Sequence, residues 1–114
     1  VARYRLSAAA QADIAKALRE SQAEHGAAAR ARYRGLLSAT LRRAAAEPEG
    51  PLTRDRAEVA PGLRSLHSRH CRRESREEPV RAPAHVIFFR PVEPGLIEIV
   101  RVLHERMEPS RWLR

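Results

Sequence analysis

Two runs near the C-terminal end, AHVIFFR (84–90) and LIEIVRVLH (96–104), are apolar on both faces. In the first, Ile87 and Phe89 point one way and Val86 and Phe88 the other. In the second, strict alternation sets Ile97, Ile99 and Leu103 against Leu96, Val100 and Val102. Strands of this kind lie inside a sheet that is covered on both sides. The rest of the chain offers one pair of helices, enough for one face of a small sheet. The other face calls for the C-terminal tail, for strong curvature, or for a second protein.

The helices come first in the chain. ARYRL (2–6) alternates, with Ala2, Tyr4 and Leu6 opposite Arg3 and Arg5, and reads as a short half-exposed strand. Ser7 is a suitable N-cap for the Ala-, Gln- and Leu-rich stretch that follows, and Gly26 is a natural stop. A second helix starts near Ala27. Its stripe of Tyr33, Leu36, Leu37, Thr40, Leu41 and Ala44 is the best helical periodicity in the chain. Pro48, Gly50 and Pro51 end it. The tight joint predicts an antiparallel helical hairpin.

Residues 47–62 read as a loop. LRSLHSRH (63–70) has the alternation of a strand, and the charged, proline-bounded HCRRESREEPVRAP reads as an exposed loop or hairpin tip. His67, His70 and Cys71 fall close together, but an extended segment puts two of them on opposite faces and no second ligand cluster matches them, so no metal is expected.

At 114 residues the chain has room for one modest core. No apolar run approaches the roughly 18 residues of a membrane helix, and the start is broken too soon for a signal peptide, so a cytoplasmic protein is expected. Cys71 is the only cysteine, which excludes an internal disulfide. Formal net charge is +8, and Lys16 is the only lysine among 22 basic residues. Arginine's planar fork pairs with carboxylate as well as with phosphate, so an acidic protein fits this charge as well as nucleic acid does. An arginine-biased genome would leave the same composition. With two Phe, two Tyr and one Trp, a base-stacking platform is not expected, and direct nucleic-acid binding with it.

The order strand, helical hairpin, loop, three strands and short tail resembles the RelE/ParE superfamily of bacterial type II toxin–antitoxin toxins, closest to the ParE type. YRLSAAAQADI, APGLRSL, HVIFFR and IEIVRVLHERM carry the likeness across nearly the whole chain. The stretch 67–84 departs from it, being longer than the tight turn usual in the family. The resemblance implies an α+β fold, with an N-terminal strand, a helical hairpin packed on a small antiparallel sheet of about four strands, and a short tail. It implies a single toxin domain over 1–114, with 67–84 an extended hairpin or loop, and no cofactor. Its implied partner is a ParD-like antitoxin with an acidic C-terminal segment, and its implied target is DNA gyrase, inhibited by binding. The RelE-like alternative is a metal-independent endoribonuclease cutting messenger RNA on the ribosome. An inert relative kept as a binding module is a third reading.

Site residues follow from these readings. Arg3, Arg5 and Arg101 are candidates for pairing with the antitoxin. His104, Arg106, Met107, Arg111 and Trp112 are candidates for the target-binding surface, because guanidinium and large apolar groups together favour protein contacts. Under the ribonuclease reading His104 would be an acid or base, and Arg64, Arg90 and Arg101 would stabilise phosphate. That set is incomplete. The tail has no tyrosine, the only lysine lies in the first helix, and the non-catalytic reading of His104 is preferred. The hydrophobic pattern of the last strand ends at Leu103, so the tail is expected to serve toxicity more than folding.

Overall fold

The computed structural model describes residues 2–113. Their order is β1 (Arg3–Leu6), α1 (Ala8–His25), α2 (Ala27–Ala46), β2 (Arg54–Asp55), β3 (Arg64–His67), β4 (His85–Glu93) and β5 (Leu96–His104). Ser7 caps α1 as its composition predicts, its hydroxyl accepting from the Ala10 N–H at 3.0 Å. Gly26 separates the two helices at a φ of 92°, a left-handed value that a side chain would oppose. One residue thus ends α1 and starts α2, which makes the hairpin.

The five strands form one sheet in the order β1-β5-β4-β3-β2. The class is α+β as expected, but the sheet is mixed. β2 through β5 are antiparallel neighbours, whereas β1 runs parallel to β5 at the edge. The helical hairpin returns the chain to the side from which it left, and β1 consequently joins the last strand as a parallel edge. β2 is only two residues long and falls inside the stretch expected to be loop.

Helix-side packing joins Leu36, Leu37 and Leu41 of α2 to Leu66, Ile87, Phe89, Ile97, Ile99 and Val102 of the sheet. Val102, not Leu103, shares a face with Ile97 and Ile99. Phe88 lies opposite Arg101 while Phe89 lies opposite Ile99, so Val100 is an extra residue in β5. This β-bulge turns the alternation over by one position and sends Leu103 to the other face.

The second face is closed by the chain itself. Leu63, Phe88, Leu103 and Leu113 form a buried cluster, with Val59, Ala60, Val86, Val100 and Met107 packed against it. The Arg56 guanidinium lies 5.3 Å from the Phe88 ring centroid. Loop 56–63 and the tail therefore supply the cover for which a second protein was one candidate. The expectation that the tail adds little to folding is overturned by Leu113, which is 4% exposed.

Beyond Ile99 the edge of β5 has no strand beside it. Ser7 Oγ donates to the Val100 carbonyl at 2.8 Å, and Asp13 Oδ2 accepts from the Val102 N–H at 2.9 Å. The first turns of α1 thus satisfy backbone groups that an open edge would expose. After β3, Ser68–Cys71 form a 3-10 turn and the chain continues without strand to Ala84. This segment is strapped over α2. Glu74 pairs with Arg43, Arg72 donates to the Val80 carbonyl, and Val80 packs on the helix-side core.

Candidate functional site

His104 ends β5 directly opposite His85 at the start of β4. Their rings meet edge to face, with centroids 5.4 Å apart. The Tyr33 hydroxyl of α2 accepts from the Ala84 N–H at 3.1 Å and meets His85 Nδ1. A neutral His85 protonated on Nε2 can accept the phenol O–H bond at Nδ1 while the Ala84 N–H donates to the same oxygen. Burial holds His85 down at about 4, and the neighbouring His104 pushes the same way; Glu20, Asp13 and Glu105 oppose them. Burial in turn raises the Tyr33 phenol above its ordinary range.

The neighbouring side chains are equally engaged. His67 Nε2 lies 2.7 Å from Glu105 Oε1, and its Nδ1 accepts from the Arg69 N–H, so both ring nitrogens are used. That bond from His67 holds the Glu105 carboxyl below the usual range. His104 Nδ1 accepts from the Arg106 N–H at 3.1 Å, fixing the ring at the turn into the tail. Cys71 is fully buried, and burial pushes its thiol up to about 11, far from a reactive thiolate. Among the described residues no three His, Cys, Asp or Glu side chains come together as metal ligands would.

Each arginine of the candidate ribonuclease set is already paired within the chain. Arg64 donates to the Pro48 carbonyl and the Thr53 hydroxyl at 3.0 and 2.8 Å. Arg90 is bound to Glu98 at 2.8 Å, five residues along β4 from His85, or roughly 16 Å at the rise of a strand. Arg101 is bound to Asp13 through two 2.8 Å contacts.

Of the three arginines expected to meet an antitoxin, Arg101 is thus the one already held in a shielded pair within the chain. Arg3 and Arg5 are different. They sit on edge strand β1 with side chains 59% and 54% exposed, in surface pairs with Glu93 at 3.6 Å and Glu98 at 3.3 Å. Such pairs contribute little and exchange readily.

After His104 the tail folds back. Met107 N–H bonds to the His104 carbonyl at 2.9 Å, and Glu108 caps a short 3-10 turn, Pro109–Arg111, with Pro109 in its first turn. The turn delivers Leu113 to the second core and leaves Trp112 46% exposed. Met107 packs inward, whereas Arg106 and Arg111 are exposed beside it. The Trp112 ring lies 5.6 Å from the Arg101 guanidinium. Sequence reasoning gave no role to Asp13, His85 or Leu113. Asp13 left one signal, an acidic residue next to Ile14, which packs on the helix-side core.

No helix among the described residues is long and apolar enough to cross a membrane. The family model described as ParE toxin of type II toxin–antitoxin system, parDE, matches residues 4–109. Toxin ParE1 of Mycobacterium tuberculosis, found in two strains, is 33% identical over 111 residues covering 97% of both chains. Toxin ParE of Escherichia coli is 36% identical over 107 residues, covering 92% of this chain and 86% of its own. A mixed sheet with one helical hairpin and a returning tail, matched from Tyr4 to Pro109 by that family, places the chain among its members: it belongs to the ParE toxin family of type II toxin–antitoxin systems.

Proposed function

We propose that this toxin acts in the cytoplasm by binding DNA gyrase through its tail surface, and that an acidic antitoxin segment neutralises it. The observation that carries the reading is Trp112. It is the only tryptophan, and it stands half out of the protein while the residue after it is buried. A large ring held outward on an anchored segment, beside exposed Arg106 and Arg111, has the composition of a binding hot spot. His104, at the end of β5, and Met107, packed on the second core, belong to the same proposed surface. For the antitoxin, β1 offers a sheet edge with Arg3, Arg5 and the partly exposed Tyr4. An acidic extended segment added there would gain backbone hydrogen bonds and pair with both arginines.

The test uses toxin freed of its antitoxin, assayed in parallel for inhibition of gyrase supercoiling and for cleavage of ribosome-bound message. Inhibition is expected with wild type. Trp112→Ala should weaken it by about 30-fold or more, the loss of a hot spot of about 2 kcal/mol. Message cleavage that depends on His104, without gyrase inhibition, would put the ribonuclease reading in its place.

A further inference from the structure

Arg101 makes more contacts than an ion pair requires. From β5 its Nε and Nη2 each donate at 2.8 Å to the two carboxylate oxygens of Asp13 on α1. Its Nη1 donates at 3.0 Å to the backbone carbonyl of Trp112. Its guanidinium lies 5.6 Å from the indole centroid, within cation–π range. Asp13 is fixed in turn by the Val102 N–H. Both side chains are largely shielded, at 19% and 14% exposure, where a bidentate pair holds its geometry better than an open surface pair. A pair serving only to join α1 to the sheet would end at Asp13. This one reaches on to the backbone and ring of the tail's one outward-facing aromatic.

We propose that Asp13 and Arg101 position the effector surface: the pair clamps Trp112 in one orientation, ready to enter an apolar pocket with acidic groups at its rim on the protein target. The inference rests on the tail being the target-binding surface. An indole already held from two sides loses little freedom on docking, so more of the contact energy appears as affinity. The exposed guanidiniums of Arg106 and Arg111 meet the acidic rim. Arg101 itself does not touch the target. It acts through Trp112, which makes α1 part of the effector apparatus without being part of the interface.

Trp112 is the sole tryptophan, so its emission and acrylamide quenching report the clamp directly in full-length toxin. Arg101→Lys keeps a cation opposite Asp13 but cannot reach both carboxylate oxygens and the Trp112 carbonyl together. Asp13→Asn keeps an acceptor for the Val102 N–H. Each variant should raise quenching and weaken gyrase inhibition by about tenfold, the loss of one hydrogen bond and one cation–π contact, while antitoxin affinity stays unchanged. Wild-type quenching and inhibition in both variants would overturn the positioning role. Position 112 gives a test that does not depend on how those variants fold. Trp112→Phe keeps a ring face for Arg101 and should retain inhibition better than Trp112→Leu, by about tenfold; equal inhibition by the two would overturn the clamp. Full inhibition by Trp112→Ala would instead remove the tail-surface reading on which the clamp rests.

Discussion

His85 shows how one residue can decide a pH response. It is neutral in the fold because burial and the adjacent His104 oppose its charge, which places it near 4, against an ordinary value near 6.5. The unfolded chain therefore binds more protons than the folded one between those two values. Stability from this site is complete above about pH 6.5 and falls as pH drops towards 4. Glu20, Asp13 and Glu105 favour the charged form and soften the effect without reversing it. Thermal unfolding followed from pH 7.5 to 4 should show this loss, and His85→Gln should flatten it. A profile that is equally steep in the variant would assign the acid sensitivity elsewhere. Tyr33 belongs to the same argument. Tyr33→Phe strands the Ala84 N–H and His85 Nδ1 at a half-buried site and should cost about 1–3 kcal/mol in urea unfolding.

Among the elements, the segment 68–84 carries the least regular structure, yet it depends on one glycine. A Cβ at Gly35 would come 2.4 Å from Ser75 Oγ and 2.8 Å from Glu77 Cγ. Alanine normally gains about 1 kcal/mol over glycine inside a helix, but here the Ser75 and Glu77 side chains must first move aside. Gly35→Val, larger still, should release the segment, and trypsin should then cut after Arg72, Arg73 or Arg76 faster than in wild type. Unchanged cleavage would mean that the strap is held by Glu74 and Val80 alone. Legibility in the sequence follows the same division between local and distant causes. Ser7, Gly26 and the α2 stripe act within a turn or two, so the helices could be read closely. The faces of β4 were equally plain. The bulge at Val100 was not, since nothing in IEIVRV marks where the pairing slips. Nor was the parallel β1, whose direction depends on where the hairpin returns the chain. At the site, His104 and Trp112 stood out by type. Asp13 and Leu113 did not, because Asp13's partner lies 88 residues away in sequence and Leu113's cluster draws on Leu63 and Phe88 from earlier strands and loops.

The whole molecule is a sheet with two separate cores, and the tail that closes the second is also the target-binding surface proposed above. The helix-side core is built from a continuous helical stripe. The second is smaller, made from Leu63, Phe88, Leu103 and Leu113 with residues of one loop and the tail. Among the described residues, Leu113 is the only buried member of it that comes from beyond the last strand. Its neighbour Trp112 points out, held by Arg101. Fold and the proposed effector surface are therefore one residue apart, and substitution can separate them where deletion cannot. Leu113→Ala removes a buried side chain and should cost about 2–5 kcal/mol. Trp112→Ala should cost about 1 kcal/mol or less, since it gives up a partly exposed ring and one cation–π contact. Truncation after Arg106 takes both, along with Met107, and opens Phe88 and Leu103 to solvent. It should destabilise more than Leu113→Ala, so loss of toxicity in such a truncation reports unfolding as much as a lost surface. Urea unfolding of the three chains, each beside a growth assay, makes the distinction. The expected order is a destabilised Leu113→Ala chain, still toxic while it remains folded, and a stable Trp112→Ala chain that is not toxic. A truncated chain as stable as wild type would show that the second core does not need the tail.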